Sequence, residues 1–126
     1  MSEQVEVAAH IQVETVRRHG VTVIRVEGEI DMLTCDEVRG EVIEGLTEPT
    51  EVLVLDLTGV TFFGSVGLSM LIEARHRAEL RDIRFAVAAD QRAVLGPMTE
   101  TGIDGLVVLR ADVTEAAAAA RARSAA

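Results

Sequence analysis

The sequence predicts an α/β domain: a mixed sheet of four to five strands flanked by about four helices. Three observations lead there. Two short alternating segments joined by a glycine turn open the chain, and a nearly unbroken apolar run, EVLVLDL, lies between two helical patterns. Beyond it, strand-like and helix-like stretches alternate to the end. Such alternation after a leading hairpin brings parallel strands together under packed helices.

Residues 11–17, IQVETVR, and 21–27, VTVIRVE, alternate in residue type, and RHG between them supplies a turn at Gly20. They predict a hairpin. GEIDMLTCDEVRGEVIEGL then turns helical, with Leu33, Val38, Val42 and Leu46 spaced for one face, Asp31 or Thr34 available as N-cap, and Pro49 past its end. Segment 51–57 is apolar almost throughout, as a central strand covered on both faces should be, and Asp56 and Gly59 are read as structural turn residues behind it. From 65 to 81, Leu68, Leu71, Ile72 and Ala78 recur at helical intervals while Glu73, His76, Arg77 and Arg81 fall on other faces. This is an amphipathic helix. IRFAVAA, 83–89, is the next strand. DQRAVLGPMTETG reads as a helix capped by Asp90, bent or divided at Pro97 and stopped by Gly102. LVVL, 106–109, is a short strand, and DVTEAAAAARARSAA a final helix. One domain spans 1–126, with 1–9 and 121–126 expected to fray.

A chain of 126 residues, 48% apolar, supports one core and not two. Its net charge of −9 and lack of a basic stripe argue against a nucleic-acid partner. All 12 cationic residues are arginine, so Schiff-base chemistry and the lysine-dependent phosphate loops are excluded. The single cysteine, Cys35, closes no disulfide within the chain and is read as a small buried apolar group. MSEQVEVAAH has neither a basic start nor an apolar leader, and no window approaches the roughly 18 apolar residues of a membrane span. A cytoplasmic protein, not bound to membrane and needing no cofactor or metal, is the expectation.

The stretch VLVLDLTGVTFFGSVGLSML sets one hydroxyl, Ser65, between Gly64 and Gly67 where a strand gives way to a helix. Ser65 is therefore at or near an N-cap, where its oxygen can accept a backbone N–H. Two glycines exceed what a cap requires, and they suit close approach by another molecule. A serine-hydrolase elbow needs glycine two residues before the nucleophile, where Phe63 stands, and His76 is eleven residues along the same helix, about 16 Å at ~1.5 Å per residue. His10 and His19 fall in the hairpin region. A phospho-accepting Asp56 of the receiver type would need a lysine that the chain lacks. The remaining reading is that Ser65 is acted on by a partner, a phosphoryl group being tolerated at the positive end of a helix.

GEIDMLT at 28–34, VLVLDLTGVTFFGSVGL at 52–68 and VLGPMTETGIDGLVVLRADVTEAAAAA at 94–120 resemble, in that order, the STAS domain of bacterial anti-sigma factor antagonists. The resemblance implies a STAS-like fold and a non-enzymatic regulator. It further implies binding to an ATP-bound anti-sigma factor of the serine-kinase type, which frees a sigma factor, with phosphorylation at Ser65 switching binding off and a phosphatase restoring it. The implied binding surface joins Glu29, Asp31 and Met32 to Gly64, Ser65, Val66, Gly67 and Ser69. Val66 and Leu68 are alternatively core, and Thr58, Thr61 and Ser69 are read as turn or surface hydroxyls. The family usually places an acidic residue before the modified serine and a hydroxyl after it; here stand Gly64 and Val66. A STAS scaffold subunit in which Ser65 only caps its helix, and more remotely a small serine hydrolase, remain as alternatives.

Overall fold

The computed structural model describes residues 11–123. Expected fraying at 1–9 and at 124–126, and His10, lie outside the described residues. Strands β1 (Ile11–Arg18) and β2 (Val21–Ile30) form the expected antiparallel hairpin. Arg18 faces Val21 across a turn of His19 and Gly20, whose φ angles of 55° and 79° are both positive, as the twist of a two-residue hairpin demands. After it come α1 (Cys35–Thr47), β3 (Val52–Phe63), α2 (Ser65–Leu80), β4 (Arg84–Ala88), α3 (Arg92–Thr101), β5 (Val108–Arg110) and α4 (Val113–Ala122). The five strands lie side by side in chain order, β2 to β5 parallel.

That order explains how the helices are distributed. Three successive crossovers of one hand, all advancing in one direction, must put their helices on the same face of the sheet. Residues of α1, α2 and α3 accordingly share one core with Ile24, Val26, Leu53, Leu55 and Leu57. The opposite face is covered by α4, whose Ala116 and Ala120 pack on Val52, Val54, Ala86, Ala88 and Val108. Alternate residues of β3 thus serve different cores, and Val52 to Leu57 are all buried, as the apolar run predicts.

Several boundaries differ from expectation. The central strand does not end at Leu57 in a turn; it continues to Phe63. Pairing passes from Arg25–Asp56 to Glu27–Gly59, and later from Gly28–Val60 to Glu29–Phe62, so β3 holds one extra residue at each step. Asp56 and Gly59 are therefore bulge residues and not turn residues. The Asp56 carboxylate is buried, accepts the Thr58 amide (3.0 Å) and hydroxyl (2.7 Å), and lies 3.5 Å from the Arg25 guanidinium. At Gly59 a Cβ would come within 2.8 Å of Glu27 Cγ, so the two strands could not approach as they do.

Pro97 does not divide α3. One lost hydrogen bond is outweighed by Val94 and Met98, both wholly buried on either side of it. The N-cap is Gln91, not Asp90. The Gln91 amide is spent on the carbonyls of Leu57 and Val60, 2.7 and 2.8 Å away, which ties α3 to the bulged part of β3. Gly102 ends the helix in the left-handed conformation, as expected. Strand β5 lies one to two residues later than LVVL suggests. Finally, α4 runs through Ala122, and Arg121 donates to the His19 carbonyl and meets Glu51 at 3.2 Å.

Candidate functional site

At the carboxyl ends of β2 and β3, Glu29 stands opposite Phe62 and Ile30 opposite Phe63, and the Gly64 amide donates to the Ile30 carbonyl at 2.9 Å. These bonds bring the 31–34 loop beside the start of α2. The carboxyl edge of parallel strands is where α/β sheets generally place their functional loops. Here the structure unites Glu29, Asp31 and Met32 with Gly64 to Ser69.

Ser65 is the first helical residue, and Gly64, extended at φ −84° and ψ 179°, is the N-cap. The serine side chain is exposed and makes no capping bond, which corrects the expectation of a cap. The Gly64 carbonyl accepts from the amides of Gly67 (3.0 Å) and Leu68 (3.3 Å). Among the described residues, the Ser65 and Val66 amides have no acceptor. Two open donors and the helix dipole therefore make an exposed, positively polarised rim around one hydroxyl.

The two glycines have other reasons than an uncovered backbone. Gly67 is buried, and a Cβ on it would fall 2.6 Å from Phe63 Cε1 and 3.1 Å from Ile30 Cγ2, so it serves helix-to-sheet packing and offers a partner nothing. Gly64 is half-buried, and a Cβ there would meet Phe62 Cε2 at 3.3 Å. Leu68 belongs to the core, Val66 packs partly against it, and Ser69 is exposed. Thr58 and Thr61 are exposed as well.

In the facing loop, Asp31 works inward as much as outward. Its Oδ1 accepts the amides of Leu33 (2.9 Å) and Thr34 (3.1 Å), and its own amide donates to Thr34 Oγ1 (3.0 Å). The buried Thr34 hydroxyl in turn donates to the Glu29 carbonyl at 2.7 Å. This locked turn delays α1 until Cys35 and throws Leu33 out to 82% exposure beside Met32, also 82%. Leu33 is thus no part of the buried helix face expected for it. Across the site Phe62 is 51% exposed. Sequence reasoning missed both Leu33 and Phe62, although strand alternation offered a signal: with Phe63 inward, Phe62 must point out.

Behind the site, Arg39 of α1 holds Glu73 of α2 through two parallel bonds of 2.7 and 2.8 Å, and Arg77 adds a third at 2.9 Å. The Arg39 hydrogen bonds, helped by Arg77, hold the Glu73 carboxyl down at about 2. Cys35 is buried as expected, donates to the Val66 carbonyl at 3.5 Å, and has its thiol pushed up by burial and by Asp36. His76 is exposed further along α2, and His19 sits in the hairpin turn at the other end of β2. Among the described residues no three His, Cys, Asp or Glu side chains are grouped to hold a metal, and no helix is long and apolar enough to cross a membrane.

Residues 12–116 match the STAS domain model. An anti-sigma-F factor antagonist, RsfB of Mycobacterium tuberculosis, is 31% identical over 94 residues, covering 75% of this chain and 76% of that one. The crystal structure of an anti-sigma factor antagonist from Mycobacterium paratuberculosis superposes with a TM-score of 0.82 at 32% identity, covering 88% of this chain and 94% of its own. The unphosphorylated anti-sigma factor antagonist SpoIIAA shares the fold at a TM-score of 0.71 and 20% identity, over 90% and 98% of the two chains.

Proposed function

Because the chain belongs to the STAS domain family, we propose that it is an anti-sigma factor antagonist, a non-enzymatic module that binds a kinase-type anti-sigma factor and frees a sigma factor. Phosphorylation at Ser65 is its off-switch. The observation that carries this reading is the exposed, uncapped Ser65 hydroxyl at the first position of a 16-residue helix, beside two open amides. A kinase can reach that oxygen without unfolding anything. The γ-phosphoryl of ATP held by the anti-sigma factor passes to Ser65 Oγ, ADP leaves, and the hydroxyl proton goes to a base on the kinase. The new dianion sits at the positive end of α2, so the fold is undisturbed while the binding face gains about two negative charges. A phosphatase reverses the step. All of this belongs to the cytoplasm and involves neither membrane nor nucleic acid.

The test is to incubate the protein with ATP and its cognate anti-sigma factor and weigh it intact. One added phosphoryl group on the wild type, absent from Ser65→Ala, is the expected result. Binding without phosphorylation would leave the scaffold reading, which the Gly64 and Val66 neighbours favour because they bring the kinase neither a carboxylate nor a second hydroxyl. Ser65→Glu should bind the anti-sigma factor at least tenfold more weakly; equal affinities for glutamate and serine would remove the charge switch. A hydrolase would need a base near Ser65, and His76 lies eleven residues along the same helix.

A further inference from the structure

We propose that Met32, Leu33 and Phe62 form one preshaped apolar knob, which seats in an apolar pocket rimmed by cationic side chains on the protein partner. The inference rests on the reading above in taking that partner to be the anti-sigma factor. Three large apolar side chains, at 82%, 82% and 51% exposure, stand on the two segments that meet at the site, the 31–34 turn and the end of β3. Single exposed apolar residues are ordinary; a cluster around a candidate switch is not.

The knob is held in shape before anything binds. Met32 and Leu33 stand at the tip of a turn fixed by Asp31 and Thr34, whose bonds run from 2.7 to 3.1 Å. The Phe62 ring lies against Gly64, where a side chain would come within 3.3 Å of ring carbon Cε2, so the absence of a Cβ gives the ring its seat. The backbone beneath these side chains is already fixed, so no loop has to be ordered on docking, which lowers the cost of binding through a few anchors.

Charge identifies the other side of the contact. Residues 57–72 carry no charged side chain, so the site's second half is neutral. Residues 27–37 hold Glu27, Glu29, Asp31, Asp36 and Glu37 and no cation, and the next one, Arg39, is bound to Glu73. Glu27, Glu29, Asp36 and Glu37 are exposed. An apolar centre with an acidic flank complements an apolar pocket with a basic rim, and a second copy of this chain would oppose acid to acid.

Titration of the purified anti-sigma factor with wild type, Met32→Ser, Leu33→Ser and Phe62→Ser tests this, each variant being checked by its melting curve. Wild type should bind, and Leu33→Ser and Phe62→Ser should weaken binding at least tenfold. The exposed Met32→Ser and Leu33→Ser should melt like wild type. Asp36→Asn combined with Glu37→Gln should slow association and flatten its salt dependence. Wild-type binding with Met32→Ser, Leu33→Ser and Phe62→Ser all within twofold of it overturns the knob and leaves the proposed function standing. No binding by wild type overturns both. A wild-type dimer in sedimentation that Leu33→Ser dissociates makes a second copy the occupant and also overturns the proposal.

Discussion

Helices α4 and α2 both follow a strand of the same sheet, yet they begin in opposite ways. At α4, Asp112 accepts the Glu115 amide at 2.8 Å, the ordinary way to satisfy an orphan donor. At α2 the N-cap is a glycine, the adjacent serine makes no cap bond, and two amides stay open. Helices α1 and α3 also begin without a side-chain cap, so what sets the start of α2 apart is the exposed serine standing there and not the missing cap itself. α2 is held instead by its body, through the close seat of Gly67 on Phe63 and the Arg39–Glu73 pair.

That contrast can be broken in order of effect. Gly67→Val should be the most damaging change, about 3 kcal/mol of unfolding free energy, since even a Cβ falls 2.6 Å from the Phe63 ring; urea denaturation measures it, and a loss near zero would mean that the body of α2 is not what anchors it. Asp112→Ala should cost about 1 kcal/mol, the usual value of a lost cap. Glu73→Gln acts through pH. Its carboxyl is held down at about 2 from an ordinary 4.5, so its stabilisation is complete above pH 4.5 and is lost as pH falls towards 2. Thermal melts of the wild type should therefore decline more steeply than those of Glu73→Gln across that window, and parallel curves would contradict the bonding seen. Ser65→Ala should change stability least, within about 0.5 kcal/mol. A cost matching that of Asp112→Ala would show that Ser65 caps its helix after all.

Much of the fold was legible because its signals are local. The hairpin turn, the double-faced apolar strand and the glycine stop after α3 each follow from a few adjacent residues. What escaped depended on a neighbour distant in sequence. Gly59 reads as a turn until Glu27 is found packed against it, and Gly67 reads as an opening until Phe63 and Ile30 are. Asp90 looks the better cap than Gln91, whose amide is committed to two carbonyls of β3. At the site itself, the strand-to-helix junction that carries Ser65 was readable from the residue pattern, whereas the loop that faces it was marked only by the family resemblance. The exposure of Leu33 was not, because helical spacing alone cannot reveal that Asp31 and Thr34 postpone the helix.

The side-by-side succession of the five strands has a kinetic consequence. No later strand has to be threaded between two earlier ones, so each new unit can dock on an edge already formed, and nothing complete need reopen. Neighbouring pairings close moderate loops, which favours brisk assembly for a parallel sheet. Such a chain can gather its layers in the order in which a ribosome delivers them.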